Sequence, residues 1–133
     1  MEPKMAQMDA TAESAVATAR SRVLTKAVLR VSVQLGLGQA DLGKIIGISA
    51  STASRMNAGT WSIPEASKSW ELAALLVRVF RSLDAVVGGN EKHVKQWFRA
   101  ENIHLGGVPA SLVFTIEGLT NVARYLDAMR GAQ

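Results

Sequence analysis

The stretch QADLGKIIGISASTASRMNAG, Gln39 to Gly59, has the spacing of two short helices that cross at a steep angle. Such a crossing needs a small residue where the helices touch, a glycine where they join, and apolar residues turned inward. Gly43 stands where a side chain on the first helix would collide with the second, and Gly47 follows where the turn requires a positive φ. Leu42, Ile46, Ile48, Ala53 and Met56 supply the inward set, with Ala53 and Met56 three residues apart on the second helix. Ser49 is placed to cap that helix with its hydroxyl, and Gly59 to stop it. This is the residue grammar of a helix-turn-helix, which lays its second helix in the major groove of DNA.

A second helix from about Ala50 to Asn57 turns Ala50, Ser51, Thr52, Ser54 and Arg55 outward near its start. Arg55 is the one long donor among them, able to fork onto guanine or hold a phosphate. The hydroxyls of Ser49, Ser51, Thr52 and Ser54 are short and suit the DNA backbone better than base edges. Gln39 and Lys44 on the first helix are further phosphate contacts. Many helix-turn-helix readers carry Gln or Asn early in the second helix, where this chain has Ala50 and Ser51, so its specificity is expected to rest on Arg55 or on DNA shape.

The 133 residues suit one domain or two small helical modules sharing a core. No apolar run approaches the roughly 20 residues that span a bilayer, and no secretory signal is visible at the start. The absence of cysteine removes disulfides and thiolate metal sites. A soluble, cytoplasmic protein is expected, with no membrane partner. The net charge of +4 favours an acidic partner, but it is spread thinly: residues 39–64 carry two basic groups and one acidic. A single copy should therefore bind DNA weakly, and a homodimer within a larger assembly would be needed for useful affinity.

Outside the central stretch, residues 1–19 read as a flexible arm without a firm apolar stripe. From Arg20 to Leu35, Leu24, Ala27, Val28, Val31 and Leu35 recur at helical spacing. After the connector Thr60 to Pro64, a longer helix from Glu65 to the Gly88-Gly89 stop carries Trp70, Ala73, Leu76, Val77, Phe80, Leu83 and Val87. Arg78, Arg81 and Asp84 on its polar side predict a local ion pair. Asn90 caps a short helix with Val94, Trp97 and Phe98 inward, Asn102 to Gly107 is a loop, and Pro109 opens a helical turn to Phe114. Thr115 caps a last helix with Ile116, Leu119, Ala123, Leu126 and Met129 inside. The fold class is all-α, divided into a helix-turn-helix module over 20–64 and a helical C-terminal domain over 65–133.

Catalytic chemistry is not evident. His93 and His104 are the only imidazoles, and with no cysteine they cannot complete an ordinary zinc site alone. No glycine-rich loop or nucleophile elbow is present, and the carboxylates are dispersed. No enzyme activity, metal or cofactor is expected.

The C-terminal half carries RSLDAVVGG at 81–89, VKQWF at 94–98, N-x-x-L-GG-x-P at 102–109, EGL at 117–119 and VARYLDAMRG at 122–131. In this order and spacing the run resembles the C-terminal toxin-binding domain of the Xre/MbcA/ParS antitoxins, and with the preceding Xre-like helix-turn-helix the likeness covers about residues 20–133. The resemblance implies an antitoxin for a RES-domain toxin, an enzyme that consumes NAD. Antitoxins of this kind cover the toxin's active-site cleft with their C-terminal region and use the helix-turn-helix to repress their own operon. Carried onto this chain, the covering surface comprises Tyr125, Leu126, Met129, Arg130, Gly131, Ala132 and Gln133, with Asn102, Leu105, Gly106 and Gly107 nearby. The alternative is a stand-alone repressor whose C-terminal helices only dimerise, which would co-purify with no partner protein.

Overall fold

A computed structural model describes residues 17–132. Among them the chain forms seven helices: α1 (Ala19–Leu35), α2 (Gln39–Ile46), α3 (Ala50–Asn57), α4 (Lys68–Val86), α5 (Glu91–Arg99), α6 (Pro109–Leu112) and α7 (Ile116–Gly131). The described residues hold no strand, only an isolated antiparallel bridge between Asn102 and Gly107. The all-α expectation is met. The expected arm over 1–19 falls mostly outside the described residues, as does Gln133; its last residues belong to the start of α1, where the Thr18 hydroxyl accepts the Ser21 N–H at 3.0 Å.

Apolar spacing decides which faces are buried, and α4 collects most of them. Ala73, Leu76, Val77, Val79 and Leu83 are buried along its 19 residues, and α1, α2, α5 and α7 all pack against it. The buried stripes are Val28, Val31 and Leu35 of α1, Leu42, Ile45 and Ile46 of α2, Val94 and Phe98 of α5, and Leu119, Val122, Ala123 and Leu126 of α7. These residues form one continuous cluster. The modules read as 20–64 and 65–133 thus share a core through α4.

The connector between them is tied down rather than loose. Ile63 is buried in full, its N–H donates to Thr25 Oγ1 at 2.9 Å, and its carbonyl accepts from the Ser21 hydroxyl. Ser21, Thr25 and Ser32 continue the inward face of α1 at three- and four-residue spacing, which apolar periodicity alone does not register. The helix expected from Glu65 starts at Lys68 because Ser67 caps it, accepting the Trp70 N–H at 3.1 Å.

The ion pair predicted within α4 is replaced by one across the bundle. Arg78 Nε donates to Asp127 Oδ2 of α7 at 2.6 Å, and the buried Ser82 hydroxyl donates to Asp127 Oδ1 at 2.7 Å. Asp84 forms no ion pair among the described residues. Hydrogen bonds from Arg78 and then Ser82 hold the Asp127 carboxyl below its ordinary value of 3.8; partial burial opposes them, and the charges of Arg78 and Arg130 add to the lowering.

At the other end of α7 the backbones meet without room for a side chain. A Cβ on Gly118 would lie 1.9 Å from the Leu112 carbonyl oxygen. The Gly118 N–H is engaged by the Thr115 cap at 3.0 Å. The helical turn expected to reach Phe114 ends at Leu112, which lets the chain reverse into α7.

Gly118→Ala is therefore expected to cost about 3 kcal/mol or more, because backbone has to move rather than a side-chain tip; a thermal melt followed by circular dichroism measures it. Asp127→Asn is expected to cost about 0.5–1 kcal/mol at pH 7, in keeping with a partly exposed pair. A carboxylate with a lowered folded pKa stabilises fully above its unfolded value and loses that contribution as pH falls through the folded one. The penalty of Asp127→Asn should accordingly shrink as the pH falls below the ordinary carboxylate value of 3.8 and through the lowered folded one, read as converging melting points.

Candidate functional site

The helix-turn-helix is built around one close approach. A Cβ on Gly43 would stand 3.1 Å from Ala53 Cβ and 3.6 Å from the Ile48 carbonyl oxygen, so the missing side chain sets how tightly α2 and α3 cross. Gly47 closes α2 at φ +77°, a conformation that a side chain strains, and the Ile48 N–H returns to the Gly43 carbonyl at 2.9 Å. Ala53 and Met56 are buried, as their spacing predicts.

The opposite face of α3 is open. Ala50, Ser51, Ser54 and Arg55 are exposed and Thr52 is half-buried. Ser49 caps the helix through the Thr52 N–H at 3.1 Å, and its hydroxyl donates to Thr52 Oγ1 at 2.9 Å. Arg55 Nη2 donates to the same Thr52 oxygen at 3.1 Å. The free protein thus holds the Arg55 guanidinium back along α3 in a chain of exposed hydrogen bonds that a phosphate or guanine can replace at little cost. Gln39 and Lys44 are exposed on α2, and with Ala50 they line a hollow of about 170 Å³ between the two helices. All eight sequence-predicted DNA contacts therefore lie on α2, on α3 or at the α3 cap.

The expected partner surface divides. Leu126 is a correction: it is 0% exposed within the core and offers no surface. Its position follows from i, i+3, i+4 spacing with Val122 and Ala123, a stripe that the sequence also displays. Tyr125 and Met129 are half-buried, while Arg130, Gly131 and Ala132 are exposed at the end of α7. Tyr125 is held in a stack, 6.3 Å from the Trp97 ring and 6.0 Å from the His104 ring, which fastens the 102–107 loop to α5 and α7.

That loop is bonded to itself. The Asn102 N–H donates to the Gly107 carbonyl at 2.9 Å, and the Gly106 and Gly107 N–H groups both donate to the Asn102 carbonyl. The Asn102 side chain accepts the Leu105 N–H at 3.0 Å. Asn102, Gly106 and Gly107 shape the loop, Leu105 is half-buried beneath it, and Ile103 projects at the tip with 93% of its surface exposed. Ile103 is an exposed apolar side chain that sequence reading passes over, since one apolar residue in a polar loop carries no periodicity.

A groove of about 720 Å³ opens between α1, α4 and α7, with Leu24, Ala27, Ala74 and Val77 lining its apolar floor and Arg20, Arg78, Arg81 and Arg130 around it. Arg20 pairs with Glu65 at 3.3 Å and lies over the Trp70 ring at 5.7 Å. Among the described residues Arg81 and Arg130 have no ion-pair partner. Three helices contribute to this feature, and no single stretch of sequence announces it. No helix of the described residues is long and apolar enough to cross a membrane, and no three of their histidine or carboxylate side chains converge as a metal site.

Comparison with protein families gives two matches that lie end to end. Residues 14–78 match the model of the antitoxin Xre-like helix-turn-helix domain, and residues 82–132 match that of the antitoxin Xre/MbcA/ParS C-terminal toxin-binding domain. No curated protein matches the chain.

Gly43→Leu is expected to force α2 from α3 and cost about 1–3 kcal/mol. Thermal melting measures the cost, and amide chemical shifts should change first at Ile48 and Ala53.

Proposed function

The chain belongs to the Xre-type antitoxins, and from that membership we propose that it neutralises a RES-domain toxin, which consumes NAD, and represses its own operon as a homodimer. The observation that carries this reading is the separation of two working surfaces on one core. The exposed face of α3, with Arg55 and the Ser49 and Thr52 hydroxyls, suits a DNA groove. The end of α7, with Met129 and Arg130, and the loop bearing Ile103, suit the mouth of another protein.

The chemistry of each surface fits its assigned task. Arg55 leaves Thr52 to fork onto a guanine edge or a phosphate, with the serines fixing register on the backbone. Arg130 has no ion-pair partner among the described residues, so its guanidinium is available for the acidic groups or anion-binding positions of a cleft that handles a dinucleotide. Ile103 and half-buried Tyr125 supply apolar anchors for the same partner. Charge supports a homodimer within a larger toxin–antitoxin complex: the segment 39–64 carries two basic groups and one acidic, few for firm binding by one copy. A cytoplasmic location accompanies the role.

Two variants test the division. Arg55→Ala is expected to weaken binding to DNA from upstream of its own gene about tenfold or more, while a culture expressing the toxin still grows. Truncation after Met129 keeps the Asp127 tie and is expected to abolish neutralisation while DNA binding persists. Loss of both activities in either variant, without unfolding, would remove the separation of surfaces on which the proposal rests.

A further inference from the structure

We propose that Arg99, which lies in the half that matches the toxin-binding domain, is a positioning residue for DNA recognition; this rests on the DNA-binding role proposed above. Arg99 is the last residue of α5, 63 positions from Gly36 in sequence, and its Nη2 donates to the Gly36 carbonyl oxygen at 2.6 Å. It acts through that carbonyl and not by touching DNA.

Gly36 is the hinge between the supporting helix and the reading module. It ends α1 at φ +75°, and the reversal is closed by the Leu37 N–H on the Ser32 carbonyl at 2.7 Å and the Gly36 N–H on the Val33 carbonyl at 3.0 Å. The carbonyl of Gly36 itself points into no helix and is taken by Arg99. Leu37 and Gly38 alone separate it from Gln39, where α2 begins. Gly38 caps α2 with no side-chain hydrogen bond, so at this end the hold on Gly36 joins buried Leu37, and the core packing of Leu42, Ile45 and Ile46, in setting the direction in which α2 leaves. The guanidinium also brings positive charge to the C-terminal end of α1, where the helix dipole is negative.

The anchor at the other end of this contact is firm. Val94 and Phe98 of α5 are buried, and Trp97, two residues before Arg99, stacks on Tyr125. A rigid helix therefore reaches back from the C-terminal half and fixes the carbonyl from which the helix-turn-helix departs. Orientation of α2 carries through the Gly43–Ala53 contact to α3, and small errors in it misplace Arg55 on the duplex.

The test uses the full chain and a labelled duplex taken from upstream of its gene, with affinity read by anisotropy at several salt concentrations. Arg99→Ala is expected to weaken binding roughly three- to tenfold, because an α2 less firmly aimed presents Arg55 correctly in only about a third to a tenth of the folded molecules. The slope of affinity against salt should stay unchanged, since no phosphate contact is removed, and the melting point should hardly move. Arg99→Lys, which keeps a charged donor, should recover much of the loss. In the DNA-free Arg99→Ala protein the amide resonances of Gly36 to Ala40 should shift. Unaltered affinity in Arg99→Ala overturns the proposal. So does a salt slope reduced by about one, which would mean direct phosphate contact. A loss that tracks a falling melting point and is not rescued by Arg99→Lys overturns it as well, as general destabilisation. If the wild-type chain itself ignores the duplex, the DNA-binding role falls first and this proposal with it.

Discussion

The burial of α4 is the constraint on which the remainder of the structure depends. A helix against which α1, α2, α5 and α7 all pack cannot lose these neighbours without exposing Leu76, Val79 and Leu83 to water, each worth about 1.5–3 kcal/mol. The helix-turn-helix module and the C-terminal helical module are therefore one folding unit. The two family matches change over between residues 78 and 82, in the middle of this helix. An exchange of halves between relatives has to preserve a continuous helix through that point, including Arg78 and Ser82, which bind Asp127 of α7.

Local chemistry was legible in the sequence wherever a single stretch contains all its partners. The predicted second helix, Ala50 to Asn57, is the helix found, because a serine cap, two inward residues and a glycine stop lie within eleven positions. Ser49, Asn90 and Thr115 cap as their types and positions suggest. Gly43 and Gly47 stand at a close approach and at a positive φ for the reasons their spacing implied.

What was not legible joins residues distant in the chain. Arg78 pairs with Asp127 instead of Asp84 because α7 lies against the side of α4 that looked solvent-facing. Leu126 was assigned to a surface through its neighbours in the motif, while its helical register with Val122 put it inside. The stack of Trp97, Tyr125 and His104 draws on α5, α7 and a loop. The buried hydroxyls of Ser21 and Thr25 are satisfied by a connector about 40 residues away, and polar residues on an inward face look like breaks in the pattern until that connector is in place.

The loop from Asn102 to Gly107 has a thermodynamic corollary. The backbone N–H groups of Asn102, Leu105, Gly106 and Gly107 are already bonded within the loop, and the His104 ring is stacked on Tyr125, so much of its conformational entropy is surrendered when the chain folds. An encounter with another protein then need freeze little more than the Ile103 rotamers, worth about 0.5–1 kcal/mol. A small hydrophobic tip on such a preshaped support can contribute nearly its full transfer free energy to complex lifetime, where the same isoleucine on a wandering loop would lose much of it to ordering.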